Sequence, residues 1–143
     1  MHVHFAATPS PIDLNTDADD GRYRAGACNI GPEEIARRRR AGLTGVGIAA
    51  LLAIGLLVID APAWTRLIIF PPLAVGFSSL EQVRRKFCVG FAMAGVRNFG
   101  TVGVTEQVTD AADLAADRRT ALTMAAYCSG LAAVVTLAFV AIG

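Results

Sequence analysis

The sequence predicts an all-α integral membrane protein with three transmembrane helices and a cytoplasmic amphipathic loop. Of its 143 residues, 54% are hydrophobic and 17% are charged, whereas average soluble domains carry about 25% charged residues. The charges are also confined to short blocks, and these blocks separate uncharged segments that approach the length of a bilayer span. Such a distribution excludes a disordered chain and argues against a soluble enzyme.

Residues 1–27 are predicted to form a flexible cytoplasmic tail, because they are polar and rich in proline, glycine, aspartate and asparagine. No basic segment followed by an apolar one opens this stretch, so we expect no cleavable signal peptide. A juxtamembrane helix is predicted over residues 28–41. Pro32 suits the first turn of that helix, and Glu33 and Glu34 suit its positive N-terminal end.

The three-helix transmembrane domain is predicted over residues 42–143. Residues 42–59 are 18 consecutive uncharged residues, and as a helix they would cover about 27 Å of a hydrocarbon core of roughly 30 Å. The last span, 120–142, lies in an uncharged segment of 24 residues. The middle span is predicted over residues 62–82.

Pro71 and Pro72 interrupt the middle block, which can therefore be a kinked spanning helix or a re-entrant hairpin. The positive-inside rule favours the spanning helix, since it places the basic clusters 37–40 and 84–86 on one side of the membrane. Two spans are then needed between those clusters. Arg66 is expected to extend its side chain toward the headgroups on the other side.

A cytoplasmic loop is predicted over residues 83–119. Apolar residues near i,i+4 spacing indicate an amphipathic helix on the membrane surface in its first half: Val83, Phe87, Phe91 and Ala94. A new helix is predicted to start at Asp110, because Asp113 and Asp117 follow in its first turns and match the helix dipole. A divalent cation bound by these aspartates is the alternative.

The predicted topology places the N-terminus in the cytoplasm and the C-terminus outside a bacterial inner membrane. Nine basic residues are assigned to topology and to contact with anionic lipid at the cytoplasmic face: Arg37, Arg38, Arg39, Arg40, Arg84, Arg85, Lys86, Arg118 and Arg119.

Small residues recur at four-residue spacing in the first and last spans, where they would let helix backbones approach closely. They are Gly45, Ala49 and Ala53 in the first span, and Ala125, Ser129 and Ala133 in the last. These stripes predict packing within the chain or a face that binds a partner.

The cysteines Cys28 and Cys88 are both expected at the cytoplasmic membrane surface, where they could form a metal pair or a redox couple. Two thiols do not complete a tetrahedral metal site, however. The simpler interpretation is that they are small, half-buried packing residues. No cofactor is expected.

Residues 28–42 and 84–100 resemble segments of small, uncharacterised multi-pass bacterial membrane proteins, and this resemblance implies a bacterial inner-membrane setting. No catalytic motif and no nucleic-acid-binding pattern accompanies it. We therefore predict a small non-catalytic accessory or scaffolding subunit that contacts the lipid bilayer and a membrane-protein partner or another copy of itself. The alternative is a thiol-based metal or redox site that uses Cys28 and Cys88.

Overall fold

The structure, a computed structural model, describes residues 23–142 of the chain. It is mostly helical, with one small pair of strands. In chain order the elements are α1 (Pro32–Val58), a 3-10 helix (Ala63–Ile69), α2 (Phe70–Arg85), α3 (Val89–Ala94), β1 (Val96–Arg97), β2 (Glu106–Gln107) and α4 (Ala111–Ala141). The strands β1 and β2 pair antiparallel.

Three helical elements are long and apolar enough to cross a membrane: α1, the segment Ala63–Arg85, and α4. The mostly helical fold is therefore confirmed, and the structure has three helices that are long and apolar enough for the three predicted spans. Their lengths of 27, 23 and 31 residues exceed the roughly 20 residues that a bilayer core requires, so α1 and α4 each extend beyond their uncharged segment.

The juxtamembrane helix and the first span form one helix rather than two. α1 begins at Pro32, where the missing N–H of proline costs nothing, and Glu33 and Glu34 occupy its first turn as predicted. No helix breaker separates the arginine run from the apolar segment, so the helix continues across the predicted boundary. Residues 28–31 precede this helix, with bridge contacts at Cys28 and Ile30.

The middle block is one continuous helical element and not a hairpin. The 3-10 helix Ala63–Ile69 leads directly into α2, and Pro71 and Pro72 lie in the first turn of α2. Proline is tolerated at that position because the first N–H groups of an α-helix have no partner within the helix.

The predicted amphipathic helix is interrupted after α2. Lys86 adopts a left-handed conformation with φ of 55°, and Cys88 then caps the short helix α3. Phe87 is fully buried in a cluster with Ala92, Ala121 and Met124. It therefore packs inside the protein, because the chain folds back onto α4 instead of lying along a membrane surface.

α2 is the central helix, since it packs against both α1 and α4 while those two make little direct contact. One core cluster joins all three, with Ala49 of α1, Ile69 and Leu73 of the middle element, and Ala132 of α4. Beyond the helices, residues 23–31 and 86–110 fold together into a compact region that we call the cap.

Candidate functional site

Asn29 is the centre of the cap and is fully buried. Its side-chain oxygen accepts the backbone N–H of Cys88 at 2.6 Å, and its amide nitrogen donates to the Cys88 carbonyl at 3.1 Å. The Asn29 backbone adds bonds to the carbonyl of Lys86 and the N–H of Asn98. A single side chain therefore holds the N-terminal segment against the α2–α3 junction, a role for which the sequence carries no motif.

The thiols of Cys28 and Cys88 are both free and buried, but their surroundings differ. The Cys88 sulfur accepts a hydrogen bond from Arg38 Nη2 at 3.0 Å and one from the backbone N–H of Phe91 at 3.4 Å. Cys28 lines a cleft of the cap. Within residues 23–142, no group of three or more His, Cys, Asp or Glu side chains is placed to hold a metal ion.

The run from Arg37 to Arg40 has two kinds of environment. Arg37 and Arg38 lie 3.6 and 4.0 Å from the buried carboxylate of Glu34, and the Arg38 guanidinium also stacks on Phe91 with 5.9 Å to the ring centroid. Arg39 and Arg40 are exposed. Arg38 thus connects α1 to the cap, because it contacts Cys88 and Phe91.

The second basic cluster is divided in a similar way. Arg84 and Arg85 both donate to the Glu81 carboxylate, with Nε–oxygen distances of 2.7 and 2.6 Å. Lys86, one residue beyond α2, lines the cleft instead. Arg118 and Arg119 are exposed.

The predicted aspartate trio does not converge on one point. Asp110 caps α4 by accepting the N–H groups of Ala112 and Asp113. Asp117 is fully buried and accepts the Tyr23 hydroxyl at 2.9 Å and the Gly26 N–H at 2.6 Å. The sequence predicts a flexible tail over residues 1–27, and these bonds show that residues 23–27 are instead held against α4. Residues 1–22 lie outside the described residues.

Tyr23 is held in its neutral form by this contact. Burial raises the pKa of the phenol above its ordinary value, and the hydrogen bond to Asp117 and the negative charge of that carboxylate raise it further. The Arg97 guanidinium lies over the Tyr23 ring at 5.1 Å from its centroid. Tyr23 therefore fixes the start of the described chain against α4.

Arg66 is buried, although the sequence predicts that it extends toward headgroups. Its Nη1 donates to the Phe139 carbonyl at 3.3 Å, and its guanidinium lies 5.2 Å from the centroid of the Phe139 ring. The carbonyls in the last turn of a helix lack partners within the helix and carry partial negative charge. α4 thus offers Arg66 a hydrogen-bond acceptor within the protein.

The small residues of α1 form a close helix contact. A Cβ atom on Gly45 would lie 2.8 Å from the Pro72 carbonyl oxygen and 2.9 Å from the Gly76 nitrogen. Ala49 is buried in the core cluster and Ala53 packs at its edge. Gly76 of α2 belongs to the same contact and was not among the predicted residues.

The packing face of α4 is displaced from the predicted stripe. The buried residues of its apolar part are Ala121, Met124, Cys128, Ala132 and Thr136. Ala125 and Ala133 are half-buried and Ser129 is exposed. The predicted stripe therefore borders the internal contact without forming it.

That stripe lines two grooves beside α2. The larger groove has a volume of about 370 Å³. Small, apolar and polar side chains line it: Ala74, Val75, Ser78, Ser79, Gln82, Ala125 and Ser129. We call it the α2–α4 groove. Ala133 lines a smaller, apolar groove of about 250 Å³.

The cap contains a cleft of about 540 Å³. Basic, apolar and thiol side chains line it: Arg24, Cys28, Ile30, Gly31, Pro32, Ile35, Lys86 and Phe99. We call it the cap cleft.

Comparison with known proteins finds no matching family model, no matching curated protein and no matching solved structure. Function must therefore be inferred from the contacts of this chain.

Proposed function

We propose that the protein is a small non-catalytic subunit of a larger membrane complex, and that a transmembrane helix of its partner packs into the α2–α4 groove. One observation carries this proposal. Ala125 is half-buried and Ser129 is exposed, and both line a groove on a helix that is apolar enough to span a membrane.

Small residues on a membrane helix allow a second helix to approach closely, and hydroxyl groups add hydrogen bonds between the two. The α2–α4 groove combines both features, because Ser78, Ser79 and Ser129 line it together with alanines. Gln82 is already bonded, since its amide donates to the Ser78 carbonyl and its side-chain oxygen accepts the N–H of Val89. The hydroxyl of Ser129 is the exposed polar group that a partner helix would cover.

The proposed orientation follows the charges. The exposed cations Arg39, Arg40, Arg118 and Arg119 lie at the ends of α1 and α4 that adjoin the cap. The positive-inside rule therefore favours a cytoplasmic cap, with the opposite end of α4 outside a bacterial inner membrane. Contact of each such cation with anionic lipid contributes about 1 kcal/mol.

The first experiment is a pull-down of the tagged protein in mild detergent, with mass spectrometry of the eluate. We expect a stoichiometric membrane protein with the wild type and its loss with Ser129→Leu, which fills the groove. Ala138→Leu is the matched control, because Ala138 is exposed on the opposite side of α4. A partnerless wild type, or equal recovery from both variants, would overturn the proposal.

A thiol-based site is the second candidate, and the hydrogen bond from Arg38 to the Cys88 sulfur favours it. The contact places a guanidinium beside one of the two thiols on which this candidate depends. The serine variants Cys28→Ser and Cys88→Ser would then abolish a redox-dependent or metal-dependent change in the protein. If the protein is only a packing subunit, both variants leave partner recovery unchanged.

A further inference from the structure

We propose that the cap cleft binds a phosphate group carried by an organic molecule, either the headgroup of an anionic phospholipid or a soluble phosphate ester. The cleft is separate from the α2–α4 groove, and the two share no lining residue. The inference therefore goes beyond the proposed subunit role and can fail or succeed without it.

The charge of the cleft selects an anion. Arg24 and Lys86 are its two charged lining residues, and it has no carboxylate among them. Neither cation forms an ion pair within the part of the chain that the structure describes. The nearby carboxylates have other partners, since Glu34 contacts Arg37 and Arg38 and Glu33 accepts the N–H of Val102.

The start of α1 also borders the cleft. Gly31, the N-cap residue of α1, lines the cleft, and its helix has no side-chain cap. The N-terminal end of a long helix carries a partial positive charge, which Glu33 and Glu34 in the first turn partly offset. Arg24 and Lys86 therefore supply most of the positive charge at this cavity.

The backbone at Lys86 makes glycine a compatible replacement there. Lys86 ends α2 in the left-handed conformation, with φ of 55°, where glycine is the usual residue because a Cβ atom is disfavoured there. The chain uses glycine at the equivalent end of α3, where Gly95 has φ of 72°.

The size and apolar lining indicate more than a free ion. A volume of about 540 Å³ lies in the roughly 300–1,000 Å³ range of small-molecule sites. Ile30, Ile35 and Phe99 offer an apolar wall beside the cations. Lys86 directly follows the segment Ala63–Arg85, so the cleft adjoins the end of a candidate span, near the level at which lipid phosphates lie.

The test uses the full chain in an uncharged detergent and measures thermal unfolding. The probes are inorganic phosphate, glycerol 3-phosphate and dioctanoyl phosphatidylglycerol, with dioctanoyl phosphatidylcholine as the zwitterionic control. A ligand that binds only the folded protein raises its melting temperature as its concentration rises. Stabilisation by phosphatidylglycerol alone identifies a lipid headgroup, and stabilisation by glycerol 3-phosphate as well identifies a soluble phosphate ester.

Lys86→Gly is the decisive variant, because glycine suits the left-handed backbone and should leave the fold intact. We expect it to weaken binding about tenfold, as the loss of one hydrogen bond to a charged group predicts, and Arg24→Gln to do the same. Arg39→Gln is the control, since Arg39 is an exposed cation outside the cleft. Absence of any shift, stabilisation by inorganic phosphate only, or equal weakening by the control would overturn the inference.

Discussion

Asn29 and Cys88 are joined by two reciprocal hydrogen bonds, one from the Cys88 N–H to Asn29 Oδ1 at 2.6 Å and one from Asn29 Nδ2 to the Cys88 carbonyl at 3.1 Å. Both residues are fully buried. The pair couples the segment before α1 to the junction between α2 and α3. The Asn29 side chain is therefore one of the contacts that set the shape of the cap, together with the backbone bonds of Asn29 to Lys86 and Asn98.

Replacement of Asn29 should therefore destabilise the protein more than a typical polar substitution. Asn29→Ala leaves the buried N–H of Cys88 without a partner, while the Cys88 carbonyl keeps the N–H of Ala92. We expect a loss of about 1–3 kcal/mol in the free energy of unfolding. Thermal unfolding in detergent measures the loss. Thr105→Ala is the control, because Thr105 is exposed in the loop before β2. If the two variants melt together, the pair has no such role.

The close approach of α1 and α2 gives a second prediction. A Cβ atom on Gly45 would lie 2.8 Å from the Pro72 oxygen, and backbone atoms cannot move aside as a flexible side chain can. We expect Gly45→Ala to separate the helices at a cost of about 1–3 kcal/mol. Chemical unfolding in detergent is the measurement.

Gly47 of the same helix provides the matched control. A Cβ atom there meets nothing within 4 Å, and alanine is favoured over glycine in a helix interior by about 0.5–1 kcal/mol. Gly47→Ala should be neutral or slightly stabilising. Destabilisation of equal size in both variants would show that glycine serves helix flexibility rather than close packing.

The sequence predicted those features of the fold that depend on local signals. Long uncharged segments predict the first and last spans and the positive-inside rule favours the middle one, and the structure has three helices long and apolar enough for them. Pro32 and Asp110 mark the starts of α1 and α4. The packing face of α4 could not be predicted in the same way. Alanine and other small residues occur on all sides of that helix. The sequence alone therefore does not distinguish the stripe through Ala125 from the stripe through Ala121, which is the one that is buried.

The cap was missed for a different reason. Its structure depends on contacts between residues far apart in the chain, such as Asn29 with Cys88 and Tyr23 with Asp117. A composition rich in turn-forming residues predicts irregular backbone, but it does not indicate which buried carboxylate that backbone will contact. Residues 23–27 were therefore assigned to a flexible tail.

The contact of Tyr23 with Asp117 predicts a pH dependence on the alkaline side. The pKa of Tyr23 is raised in the folded protein above its ordinary value of 10.0. Above that pH the unfolded chain loses the phenolic proton while the folded chain retains it, so folding stability decreases as pH rises. Below it, the contribution of Tyr23 is complete and constant.

Tyr23→Phe isolates this effect. At neutral pH the variant loses the hydrogen bond to Asp117, and we expect it to be less stable by about 1 kcal/mol. As the pH rises above 10, the wild type loses its advantage and the two melting temperatures should converge. Melting curves at several alkaline pH values test this, and a difference that stays constant would contradict the assignment of the titration to Tyr23.

Arg66 links the start of the middle element to the far end of α4, and its substitution tests how that end is fixed. The guanidinium is planar, so it can lie over the Phe139 ring while Nη1 donates to the Phe139 carbonyl. Lysine keeps the charge but not the planar shape. We expect Arg66→Lys to cost about 1 kcal/mol locally and to increase amide hydrogen exchange in the last turn of α4.

Arg118→Lys is the control for this prediction, because Arg118 is exposed near the opposite end of α4. Hydrogen exchange followed by mass spectrometry should show faster exchange near Phe139 only in the Arg66 variant, with the cap unchanged in both. If Arg66→Lys leaves exchange at the end of α4 unaltered, charge alone suffices at that position, and the planar stacking on Phe139 contributes nothing to holding α4 against the middle element.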